Sequence, residues 1–83
     1  MKYILLPSTR KHKKYMAVFV DSAKKAPVHF GDNRYPQYKD SSGLGKYTHL
    51  NHGDAARRRR YYQRHGKDAV KFSAKYFSHK YLW

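Results

Sequence analysis

The densest concentration of reactive groups is the run Arg57-Arg58-Arg59-Arg60, followed by Arg64. Guanidinium forks bind phosphate oxygens bidentately and stay charged across the physiological range. Consecutive helical residues turn by about 100°, so four arginines in a row cannot share one face. Spacing sorts them. Arg57, Arg60 and Arg64 fall at i, i+3 and i+7 on one stripe, with Ala55 and Tyr62 expected on the opposite, buried side and Arg58 and Arg59 flanking it. Tyr61 projects beside Arg57 on this wheel and is expected to offer an exposed ring for an unpaired base, with Tyr35, Tyr38 and Tyr47 as further candidates. The competing role for each ring is to cover a thin core. A second basic cluster, Arg10, Lys11, Lys13 and Lys14, lies near the start of the chain, and Lys67 and Lys71 follow the first. The expected polyanion-binding set is Arg57, Arg58, Arg60, Arg64, Tyr61, Arg10, Lys11, Lys13 and Lys14.

The overall charge supports that assignment. Of 83 residues, 19 are Lys or Arg and five are acidic, giving a formal charge of +14. All five acids are Asp, so the excess cannot be paired internally and an external polyanion is the natural partner. Nine Tyr, four Phe and one Trp interleaved with the cations suit RNA or single strands, whose bases stack on rings and guanidinium planes.

Other chemistries find little support. The absence of Cys excludes disulfides and thiolate zinc sites, and it fits a reducing compartment. His49, His52, His65 and His79 lack the paired spacing of a metal site, so ordinary hydrogen-bonding histidines are expected and no cofactor. Catalysis would have to use Asp and His alone, because Glu and Cys are absent and no Ser sits in a nucleophile elbow. His49, Asn51 and His52 echo an HNH-like nuclease, but short His/Asn patterns arise by chance in a chain with six His. The expected function is binding, not catalysis.

These groups need a scaffold, and the sequence predicts a single domain, residues 1–83, with an α+β fold. At this size only about 60% of the unfolded surface is buried, so the core is modest. An apolar fraction of 40% is still too rich for a disordered basic tail. Residues 1–30 read as β-rich. Tyr3 to Leu6 is a short apolar run closed by Pro7, and Ser8 to Lys14 is a solvated basic connection. Tyr15 to Val20 is the best strand and should be central and covered. Pro27 to Phe30 returns as a strand ended by Gly31. Residues 31–53 form a long loop whose Tyr35, Tyr38 and Tyr47 argue that it packs onto something. Residues 54–83 are helical. Asp54 caps a helix to about His65 with Gly66 as its stop. Val70, Ala74, Phe77 and Tyr81 mark the apolar face of a second short helix with Ser73 near its start, and the Leu82-Trp83 end should dock. Two short C-terminal helices therefore pack on a short antiparallel hairpin or sheet. The apolar start is cut short by Pro7 and the charges from Arg10, so neither a signal peptide nor a membrane span is expected.

The succession His29-Phe30-Gly31, Tyr47-Thr48, His52-Gly53-Asp54, Arg58 through His65 and Tyr81-Leu82-Trp83 resembles a small family of uncharacterised basic proteins of large nucleocytoplasmic DNA viruses. The likeness spans residues 13–83. The chain differs in a longer segment, His49 to Gly53, before Asp54, and in an apparent insertion from Lys39 to Lys46. The resemblance carries no activity. It implies a viral context, a virion component or otherwise a host-intracellular protein in cytoplasm or nucleus, held in a larger assembly. Two partners follow: nucleic acid, DNA or RNA, as the leading one, and acidic capsid-protein surfaces that a minor capsid or cement protein would bind.

Overall fold

A computed structural model describes residues 2–22 and 24–83. Three strands, β1 (Tyr3–Pro7), β2 (Lys13–Phe19) and β3 (Val28–Asp32), form an antiparallel sheet in the order β1-β2-β3. Two helices follow, α1 (Ala55–His65) and α2 (Ala74–Tyr81). The α+β class, with the sheet from the N-terminal half and both helices from the C-terminal half, matches the sequence expectation.

β2 is central as expected. Its register sets Tyr3 opposite Phe19 and Leu5 opposite Ala17 on one side, and Tyr15 opposite Phe30 on the other. Because side chains alternate across a strand, Tyr15, Ala17 and Phe19 share one face. All three are buried, together with Phe30 from β3 and with Phe77 and Leu82 from the last segment. The Phe30 and Phe77 rings lie 5.5 Å apart and near-parallel, so an aromatic layer joins β3 to α2. The opposite sheet face leaves Ile4 and Leu6 exposed.

The strand boundaries differ from expectation by one or two residues, most at the start of β2 and the end of β3. The connection before β2 closes at His12, whose φ is 67°, so pairing starts at Lys13 and not at Tyr15. Lys14 is consequently buried instead of solvated. Its stem lies against Gly31 of β3, where a Cβ would come within 3.2 Å of Lys14 Cδ and 2.7 Å of Leu82 Cδ1. Gly31 also has φ +75°, a conformation that favours a residue without a Cβ, and β3 continues through it to Asp32.

The loop after β3 has one 3₁₀ turn, Thr48–Leu50, and is held by both backbone and side chains: the Gln37 N–H donates to the Leu50 carbonyl, the His52 N–H to the Gln37 carbonyl, and the Lys39 and Ser41 N–H groups to the Leu82 and Tyr81 carbonyls. Asp40, buried, accepts from the Tyr15 hydroxyl, the Ser42 hydroxyl, and the Ser42 and Tyr47 N–H groups. Asn51 Oδ1 accepts from Gln37 Nε2 at 2.6 Å and from the Asp40 N–H at 2.8 Å. The segment is thus built onto the sheet edge, as its aromatic content suggested.

Both helix starts follow the sequence. Asp54 accepts from the Ala56 and Arg57 N–H groups, and Ser73 from the Tyr76 N–H. Gly66, φ 75°, ends α1. The apolar face of α2 differs: Val70 is 80% exposed and lies outside the helix. Phe72 takes a φ of 65° just before the Ser73 cap, which breaks the register between Val70 and Ala74. Phe72 itself turns onto the core, edge-on to Tyr3 and Phe19.

Candidate polyanion-binding cleft

α1 carries its arginines on a helix that makes few contacts with the sheet, and its packing reverses one sequence expectation. Tyr61, expected outside beside Arg57, is the buried residue of α1, whereas Tyr62 is half-buried and Ala55 exposed. The cause lies far along the chain. The Trp83 ring stacks on Tyr61 with centroids 4.3 Å apart and planes within 5°. The Tyr61 hydroxyl also bonds His79 Nδ1 at 2.9 Å, so both ends of the ring are engaged. Burial raises the Tyr61 hydroxyl to about 12, with Tyr62 adding to the shift, so it stays protonated.

The rotation of α1 places the stripe beside this contact. Arg57, Arg60 and Arg64 are exposed and line a cleft of about 330 Å³ together with Trp83, His52, Tyr35 and Pro36. Arg57 Nε lies 3.8 Å from Asp54 Oδ2, whereas Arg60 and Arg64 make no ion pair among the described residues. A neighbouring cleft of about 430 Å³ shares Tyr35, Pro36, Arg64 and Trp83 and adds Lys13, Lys14 and Lys75. Of the acids, Asp32 lines the larger cleft but is paired with Arg34, Asp40 is committed to the loop, and Asp54 to the α1 cap. Asp21 accepts from the Lys2 N–H. The clefts therefore concentrate cations on an aromatic floor with little anionic charge opposing them.

The other members of the expected set fall into place unevenly. Lys13 faces the second cleft with Arg64. Lys14 reaches it too, but its Nζ donates to the Tyr35 carbonyl at 2.8 Å. Burial lowers its pKa to about 8, against the opposing pull of Asp32 and Asp40. It is a strut, not a free cation. Arg10 and Lys11 sit in the turn before β2 and line neither cleft. Arg58 is engaged by the protein: it lies 5.3 Å from both the Tyr38 and Tyr62 ring centroids, and its Nε donates to the Trp83 main-chain oxygen at 2.6 Å. Of the stacking candidates, Tyr35 is 61% exposed at the cleft mouth, while Tyr38 is covered by Arg58 and Tyr47 packs edge-on against Tyr15. Lys67 lies in a separate groove on the far side of α1, and Lys71 covers Phe72.

Residues 3–42 match a family of unknown function, DUF5754. The matched stretch holds the three strands and the loop as far as Ser42, and both helices lie beyond it. No curated protein and no solved structure matches the chain.

The cleft contains three residues that the sequence did not single out for binding: Trp83, Pro36 and His52. His52 Nδ1 accepts from the Asp54 N–H at 2.9 Å, which leaves its proton on Nε2, a buried donor without a protein partner. No group of three His or Asp that could hold a metal occurs among the described residues.

Proposed function

We propose that this chain is a non-enzymatic binding protein that contacts the phosphates of nucleic acid through Arg57, Arg60 and Arg64, with Lys13 as a secondary contact. The observation that carries this reading is the shared cleft: three guanidinium groups from one helix line it, two of them without a carboxylate partner among the described residues. Such groups are desolvated least when free and gain most from an anion that binds them bidentately. In the viral setting that the sequence resemblance implies, the phosphates would be those of a genome or transcript inside a particle or nucleoprotein.

Salt dependence tests the proposal. Neutralising four or five phosphates should make log K fall against log salt with a slope of about −3 to −4. A flat dependence overturns it. Polyglutamate supplies the comparison with an acidic protein face. If the protein binds polyglutamate and not oligonucleotides, it is a cement for acidic capsid subunits and not a nucleic-acid binder.

A further inference from the structure

We infer that the cleft takes an unpaired base, stacked on the Trp83 indole, so that the preferred ligand is single-stranded nucleic acid and not duplex. This rests on the phosphate-binding reading and adds a second contact to it. Trp83 lines both clefts, while Tyr61 covers one face of its ring and lines only the larger of them. The indole is therefore backed by the Tyr61 ring and borders both cation-lined clefts, with the tilted His52 ring 5.3 Å away as its other ring neighbour in the smaller one.

It is also fixed in place before any ligand arrives. The Trp83 main-chain N–H donates to the Ser78 carbonyl at 3.1 Å, its main-chain oxygen accepts from Arg58 Nε, and the Tyr61 ring stacked on the indole is tethered to His79. A ring already immobilised loses little entropy when a base stacks on it. Tyr35, which lines both clefts too, is held through its own backbone: its N–H donates to the Asp32 carbonyl at 3.2 Å and its carbonyl accepts from Lys14 Nζ.

The chemistry of the rim selects the ligand. An apolar peptide side chain could fill the space over an indole but would leave Arg60 and Arg64 without an anion. A nucleotide supplies a planar ring and a phosphate from one unit, and Arg57 to Arg64 span about 10 Å of helix axis alongside it. Bases in a duplex are already stacked on their neighbours, so only an unpaired one can use the indole.

The chain contains one Trp, so its fluorescence reports on this ring alone. The experiment titrates the whole protein with oligothymidylate, with an abasic oligomer of equal length and charge, and with a duplex of that length. Oligothymidylate should quench the emission and bind about 5- to 100-fold tighter than the abasic oligomer, the range expected for stacking one base. Trp83→Phe should retain most of this preference, and Trp83→Ala should abolish it, so that the variant binds oligothymidylate and the abasic oligomer equally. Equal affinity for oligothymidylate and the abasic oligomer, with constant emission, overturns the stacking contact and leaves the phosphate reading standing. Absence of binding to either overturns both. Tighter binding of the duplex also refutes the inference. Should Trp83→Ala fail to fold, the two oligomers compared on the wild-type protein still decide it.

Discussion

The Tyr15 hydroxyl donates to Asp40 Oδ2 at 2.5 Å, joining the central strand to a loop residue 25 positions away. Both partners are buried. The contact positions the loop that follows the sheet, because Asp40 also gathers Ser42 and Tyr47, and Tyr15 accepts the Lys46 N–H at 3.1 Å.

Asp40 should therefore carry an identifiable share of stability at neutral pH. Burial pushes its carboxyl up, but hydrogen bonds from Ser42, Tyr15 and the Ser42 and Tyr47 N–H groups outweigh that and hold its pKa below the ordinary carboxylate value. A depressed folded value means that the unfolded chain binds the proton first. The contribution is complete above the unfolded pKa of about 3.9 and is lost as pH falls through the folded value. Asp40→Asn should cost about 3 kcal/mol in denaturant unfolding near neutrality, with a shallower acid limb than wild type. Equal stability of the variant at neutral pH would show that the network is not needed.

The histidines govern a higher pH window. Burial is the main cause that lowers His29, His52 and His79 below the usual value. Arg10 and Lys13 add to it at His29, and Arg57 adds to it at His52 against the opposing pull of Asp54. At His79 the Gly66 carbonyl raises the pKa, while Lys75 and His65 lower it. The folded chain thus keeps these rings neutral, and the unfolded chain takes up protons first as pH drops below about 6.5. Stability rises with pH in that range, so the melting midpoint should be lower at about pH 5 than at pH 7 at fixed ionic strength, before the carboxylates titrate. His79→Gln should reduce the difference. A midpoint that is constant or higher at pH 5 would contradict the assignment.

The scaffold was more legible in the sequence than the site. β2 shows itself by its β-branched and aromatic run, and Asp54 and Ser73 by their place ahead of helix formers; these are local signals, and tertiary contacts reinforce them. Phase errors arose where the deciding partner is remote. α1 has two adjacent aromatics and no apolar residue three or four positions from either within the helix, so nothing in its own sequence says whether Tyr61 or Tyr62 faces inward. Trp83, more than 20 positions on, makes that choice. Lys14 is illegible for a similar reason, since its burial depends on the missing side chain at Gly31 and on a carbonyl at Tyr35. Trp83 itself carried one usable sign, an apolar end expected to dock, but its place beside the arginines follows from the fold alone.

Arg58 and Arg60 lie two positions apart in one helix and have opposite duties. Arg58 lies against Tyr38 and Tyr62 and holds the Trp83 carbonyl, so it belongs to the packing of α1. Arg60 lines the open cleft and pairs with no carboxylate among the described residues. Arg58→Ala loses a charge-assisted hydrogen bond and two ring contacts, and should lower stability by about 1–3 kcal/mol while the salt slope of binding holds. Arg60→Ala removes one of the proposed phosphate contacts, so the midpoint should hold while affinity falls and the salt slope shrinks by nearly one. Thermal melts and salt titrations of the two variants, run side by side, separate these roles. If Arg60→Ala destabilises the fold and Arg58→Ala alone weakens binding, the arginine that faces the ligand has been assigned to the wrong side of the helix.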